Sequence, residues 1–248
     1  MRVSASAFGR SPLAANAWRN AGRRVWAALS ISRKLSANTH VNVWRNAIDI
    51  HDLARPSAYV EALRDVLARL DTSSIDVITD VLLRARDEGR TVFIVGNGGS
   101  ASTGAHMATD LCKVAAVDGQ PGVRAVSLPD NVALLTAWSN DAAYEYSFAG
   151  PLQAYIEPGD VLIAISASGR SPNVLEAVRV ANRARAVTVG LAGFGGGELA
   201  RLAQICLVVD AHDYGLVEDA HLTVNHALTA AVRAQLQLTS EAEQKKAA

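Results

Sequence analysis

The sequence predicts a doubly wound α/β sandwich, a five-stranded parallel sheet with helices on both faces, and three observations predict it. Five short apolar runs, Val92 to Val95, Val123 to Leu128, Val161 to Ile165, Val187 to Leu191 and Ile205 to Val209, are continuous rather than alternating, as strands buried on both faces are. Helix-compatible sequence follows each run, which is the rhythm of βαβ units. Glycine- or serine-rich loops follow the first and third runs, beyond the strand carboxyl ends where such sheets bind ligands. A chain of 248 residues, half of them apolar, can bury one substantial core.

The leading segment differs from the rest. Residues 1–48 contain eight Arg or Lys and no Asp or Glu, which leaves sixteen basic against twenty-four acidic residues in the remainder. An acidic body argues against nucleic acid as a partner, because that binding depends on neutralising phosphates. Acid-free Arg/Ser composition fits a transit-like peptide, and Val25 to Ile31 after Arg23-Arg24 is a short export-signal core. The reading adopted is a basic, disordered extension over 1–46. No apolar run reaches the roughly eighteen residues a membrane span needs, and a cytoplasmic location is expected. Cys112 and Cys206 are too few for a disulfide framework and are expected in the core of a reduced protein.

Pro56 and Ser57 open a helical stretch with Val60, Leu63, Val66, Leu67 and Leu70 on one face. Asp71 to Ser74 breaks it, and Ile75, Ile78, Val81 and Leu82 begin a second amphipathic helix ending near Gly89. Val92 to Val95 then runs into Gly96, Gly98 and Gly99, which permit a tight turn and close ligand approach, with Ser100 placed as an N-cap. The unpaired N–H groups and the dipole of the helix that follows favour an anion there. Gly96-x-Gly98-x-x-Ala101 also satisfies the dinucleotide fingerprint, but the acidic residue expected about twenty positions later has only Asp118 and Asp130 as poor candidates. The second loop, Ile165 to Asn173, carries Ser166, Ser168 and Ser171 ahead of Pro172, which suits a first helical turn. It turns the reading toward a phosphorylated small molecule. Phe194 to Gly197, after the fourth strand, reads either as a mobile lid or as a plain flexible turn.

His106 and Asp110 are spaced i, i+4 on the helix after the first loop, and Glu218 and His226 are eight apart in a last long helix, Gly215 to Leu236. Two imidazoles and two carboxylates suit a borderline divalent ion such as Zn²⁺. A solvated i, i+4 ion pair is the plainer reading of His106 and Asp110 taken alone.

GNGGSA before a helix with His106, then ISASGRSPNV, then VEDAHLTVNHAL, in that order across roughly Ser57 to Leu236, together resemble the sugar isomerase (SIS) domain, and within it the phosphoheptose (sedoheptulose 7-phosphate) isomerase branch. The resemblance implies a flavodoxin-like SIS domain over 57–238 and a homo-oligomer, a tetramer, built in part by the two leading helices; a disordered tail is expected over 239–248. It implies a metal held by His106, Asp110, Glu218 and His226, with Asp110 the carbon base and His226 the acid/base partner. Ser100, Ser166, Ser168 and Ser171 would hold the phosphate of the sugar, with Ala167 where the family often has Thr. Asn97, Gly98, Gly99, Asn140, Asp141 and Glu218 would meet the rest of the substrate. Asp110 stands where the family usually has Glu, and Glu218 where it usually has Gln. A non-catalytic SIS protein that binds a phosphosugar or a protein partner is the alternative.

Overall fold

The structure is a computed structural model and describes residues 55–247; the extension expected over 1–46 lies outside the described residues. Two helices, α1 (Pro56–Ala68) and α2 (Thr72–Asp87), precede the sheet as their periodicity predicts. The break between them is a cap. The Asp71 side chain accepts from the Ser73 and Ser74 N–H groups at 3.1 and 3.3 Å and from both hydroxyls. Those bonds, the hydroxyls first, hold the Asp71 carboxyl below its ordinary range.

The sandwich follows in order: β1 (Thr91–Val95), α3 (Gly99–Thr109), β2 (Arg124–Ser127), α4 (Val132–Asp141), α5 (Ala149–Tyr155), β3 (Val161–Ser166), α6 (Pro172–Arg183), β4 (Val187–Ala192), α7 (Leu199–Leu202), β5 (Ile205–Val208) and α8 (Tyr214–Ala247). All five strands pair in parallel, in the order β2-β1-β3-β4-β5. β1 thus lies beside β3, with Phe93 opposite Leu162, and the chain winds outward in both directions from that pair. The core on one face joins Phe93, Val95, Phe148, Leu152, Leu162 and Val178.

Full burial, expected of every strand, holds only for the interior three. β2 and β5 are the sheet edges, each covered on fewer sides, and expose alternate residues, with Val126 44% exposed. Two further expectations are corrected. Cys112 is exposed, because it lies on the turn that faces edge strand β2, where its sulfur pairs with the backbone of Ala125. Cys206 is partly buried, and burial pushes its thiol up to about 12. The tail expected to be disordered over 239–248 continues α8 through Ala247. Its Glu, Ala, Gln and Lys residues are strong helix formers, and Gln120 donates to Glu243 at 3.3 Å.

The sheet's last partner is α8, a 34-residue helix that packs against α1, α2 and α3. Its inward seam, Leu216, Val217, Ala220, Val224, Leu228, Val232 and Leu236, repeats at helical spacing and is interrupted by three buried polar residues, His221, Asn225 and Thr229. Neither His221 ring nitrogen has a hydrogen-bond partner. Burial pushes the His221 imidazole down to about 4, while the nearby Ala192 backbone pulls the other way without reaching bonding geometry. No described helix is long and apolar enough to cross a membrane.

Because the folded His221 resists a proton that the unfolded chain accepts near its ordinary value of 6.5, stability is full above pH 6.5 and falls toward pH 4. The loss attributable to this residue is on the order of 3 kcal/mol at most. Between pH 7.5 and 4 the wild-type melting temperature is expected to fall relative to that of His221→Leu, which has no imidazole to protonate; parallel curves would show that His221 does not govern the acid limb.

Candidate functional site

The order of the sheet places the loops after β1 and β3 side by side at the point where the winding reverses. They are joined directly. The Asn97 and Asn173 amides exchange reciprocal hydrogen bonds of 2.9 Å, and Tyr144 Oη donates to Asn97 Oδ1 at 2.8 Å. Asn173 is buried in the first turn of α6 and also donates to Ser147 Oγ at 3.1 Å. Gly98, rather than Ser100, is the N-cap of α3, with φ 54° that favours glycine, and no side chain caps the helix. Ser100 lies inside the first turn and is buried. A side chain at residue 99 would collide with the Glu218 carboxylate, which lies against this helix end.

In the second loop, Ser166 Oγ and Ser171 Oγ approach to 3.1 Å across the base of the turn, and Ser168 Oγ accepts from the Arg170 N–H at 3.3 Å. Ser171 is the N-cap of α6 with Pro172 after it, as the sequence predicts. Phe194 to Gly197 proves to be neither lid nor loose turn. Gly193 N–H donates to the Ala167 carbonyl at 2.8 Å and Leu199 N–H to the Gly169 carbonyl at 3.0 Å, so this segment braces the serine loop from behind. A Cβ on Gly169 (φ +62°) would strike the Gly196 carbonyl. Phe194, itself at φ 48°, is held between the rings of His212 and Tyr214.

The third cluster bridges α3 and α8. His106 Nε2 lies 3.3 Å from Asp110 Oδ2, His226 Nε2 lies 3.8 Å from the same oxygen, and the two imidazole nitrogens are 3.4 Å apart. The histidines are about half exposed while the Asp110 side chain is 10% exposed. Asp110 begins a five-residue π-helical turn closed by Ala115 N–H on the Asp110 carbonyl, a widening that recurs at functional sites. Asn225, fully buried on α8, donates to Asp110 Oδ2 at 3.0 Å. Two imidazole nitrogens and a carboxylate oxygen within 4.8 Å of one another can hold a divalent cation, and their donor chemistry fits one. Glu218 is not in this group.

The SIS domain pattern matches residues 58–193 of the chain. The chain belongs to the SIS domain family. Among SIS proteins, the phosphoheptose isomerase of Trichlorobacter lovleyi is 34% identical over 157 residues, covering 63% of this chain and 80% of that protein. That of Nitratidesulfovibrio vulgaris is 39% identical over 140 residues, covering 56% and 67%. The solved phosphoheptose isomerase of Francisella tularensis superposes with a TM-score of 0.68 at 25% identity, covering 72% of this chain and 96% of that one.

Measured against the SIS residues expected from sequence, the structure assembles His106, Asp110 and His226, and separately the two loops with Asn97, Gly98, Gly99, Ser100, Ser166, Ala167, Ser168 and Ser171. Asn140 and Asp141 close α4, where they bond each other at 2.8 Å, and no hydrogen bond among the described residues ties them to either loop. Asn173, Tyr144 and Asn225 escaped the sequence reading; the signal for Asn225 was a polar residue on the apolar seam one position before His226. Gly169→Ala is expected to cost about 2 kcal/mol or more, from the left-handed backbone and the collision with Gly196. Denaturant titration reads it, and wild-type stability would show that the brace can shift.

Proposed function

We propose that the protein is a sugar-phosphate isomerase that interconverts sedoheptulose 7-phosphate and an aldoheptose 7-phosphate. The observation that carries the reading is the convergence of His106, Asp110 and His226 between α8 and α3, the helix that begins at the first loop of the β1/β3 crevice, in a chain whose similar relatives are named phosphoheptose isomerases.

The reaction moves a carbonyl from C2 to C1: one proton leaves C1 and one is delivered to C2, and a hydroxyl proton passes between the two oxygens, with no net change in composition. Asp110 is the base at carbon and His226 carries the proton at oxygen. His106, Asp110 and His226 would hold the metal; Glu218, the fourth ligand the SIS resemblance implies, lies against Gly99. Zinc is the reading of the donor set, two imidazole nitrogens and a carboxylate oxygen within 4.8 Å of one another. When bound, the ion polarises the carbonyl and stabilises the negative charge that develops on its oxygen. The serines of the second loop and the α6 amides hold the phosphate. Asn97, Gly98 and Gly99 line the sugar, and Asn140 and Asp141 are the residues the SIS resemblance adds for its hydroxyls.

The domain assembles as a homotetramer in a cytoplasmic setting. Exposed Val60, Val126, Val132, Trp138 and Tyr155 and the open groove of about 610 Å³ at the β2 edge, lined by Thr109, Cys112 and Val132, support burial by a second copy.

Incubation with sedoheptulose 7-phosphate is expected to yield an aldoheptose phosphate by NMR, and Asp110→Asn to lower turnover by at least a hundredfold while the fold persists. Full turnover by Asp110→Asn removes the base assignment; an inactive wild type that still binds the phosphosugar favours a sensing role. Light scattering is expected to give four chains per particle, and a monomer at micromolar concentration refutes the assembly.

A further inference from the structure

We infer that Asn225 is a positioning residue that fixes the Asp110 carboxylate for metal and substrate, an inference that rests on the function proposed above. The seam of α8 places three polar residues at successive turns, His221, Asn225 and Thr229, among Leu216, Val224, Leu228 and Val232. All three are buried and each leaves a polar atom without a partner, both ring nitrogens in His221, Oδ1 in Asn225 and Oγ1 in Thr229. Only Asn225 reaches a side chain on another element, and that side chain is Asp110, 115 residues away in sequence.

The geometry explains why an amide stands there. Asp110 is the first residue of the π turn: its N–H closes the ladder of α3 on the His106 carbonyl, while its own carbonyl accepts the wider bond from Ala115 N–H, so the backbone is anchored and the carboxylate is left to be oriented by its side-chain partners. Its Oδ2 already faces two imidazole nitrogens, His106 at 3.3 Å and His226 at 3.8 Å, both on exposed side chains free to change rotamer. Asn225 Nδ2, at 3.0 Å, is the one buried donor on that oxygen. A buried amide whose own carbonyl oxygen goes unpaired is a poor choice for packing, and an aliphatic side chain of similar volume would serve the seam better. A neutral donor is well suited to orient a carboxylate, since it fixes the carboxyl plane without adding charge to the metal ligands. His226 follows Asn225 directly, so one turn of α8 supplies both a ligand and the donor that orients a second ligand.

Asn225→Leu in the full chain tests this with three readouts: zinc affinity by competition with a colorimetric chelator, steady-state kinetics on sedoheptulose 7-phosphate, and thermal melting. The expected result is zinc affinity weaker by at least about tenfold, as for loss of an outer-shell partner. kcat is expected to fall about 10- to 100-fold with KM changed less than about threefold, while the melting temperature is unchanged or higher. Wild-type zinc affinity and kcat in Asn225→Leu overturn the inference. If Leu proves too bulky to fold, Asn225→Ala removes the amide without adding volume and is read the same way; loss of the fold in both marks the residue as structural and also overturns it. A wild type that binds zinc but does not turn over the substrate refutes the proposed function, and the zinc affinity of the variant then decides Asn225 alone.

Discussion

The pairing of β1 with β3 is the constraint on which the candidate site depends. Parallel strands cannot be joined by a hairpin, so each must leave the sheet through a loop and a helix at its carboxyl end. With β1 and β3 adjacent and their continuations wound in opposite directions, two loops and the N-termini of α3 and α6 share one crevice. The reciprocal amide pair of Asn97 and Asn173 converts that proximity into a fixed relation, because each amide satisfies donor and acceptor on the other. Asn173 has no exposure in which to find water instead, so separating the loops would strand buried polar groups.

The second organising element is α8, and it carries conflicting demands. Its apolar seam closes the helical layer over α1, α2 and α3, yet the same 34 residues deliver His226 and Asn225 to Asp110 and Glu218 to Gly99. Each polar residue on that seam weakens the packing that holds the helix in place. Length offsets this: seam contacts on both sides of the polar segment, from Leu216 to Leu236, fix the axis independently of the residues that do chemistry.

The fold was legible because strand burial and helix periodicity are written locally. The interior runs, the Asp71 break and the Ser171-Pro172 helix start are each set by residues within a few positions of one another. Where sequence reading went astray, a distant partner decided the outcome. Cys112 is apolar enough for a core but faces an edge strand, and Phe194 to Gly197 has a lid's composition but is flanked by Gly193 and Leu199, whose N–H groups donate to the serine loop. The tail at 239–247 is helical because it extends a helix already anchored, which lifts the cost of nucleation that a short isolated segment would bear. The cluster of His106, Asp110 and His226 was found through resemblance and i, i+4 spacing, whereas Asn225, Asn173 and Tyr144 make contacts 115, 76 and 47 residues apart that no local pattern encodes.

Glu218 shows how the two glycine loops come to differ. Both present a helix N-terminus, and by composition either would accept an anion. At α3 that position already has a carboxylate against Gly99, close enough that a single methyl group there would strike it. A phosphate brought to the same helix end would meet a like charge at short range, worth several kcal/mol of repulsion at the effective dielectric of a partly buried site. At α6 the loop itself contains no Asp or Glu; it carries three serine hydroxyls, no side chain caps the helix amides, and its one charged residue is Arg170. The α6 end therefore suits the doubly charged phosphate and the α3 end suits neutral sugar hydroxyls, which can donate to the Glu218 carboxylate rather than repel it. For the proposed substrate, that asymmetry favours an orientation with the phosphate at the serine loop and the hydroxylated chain directed across Gly99.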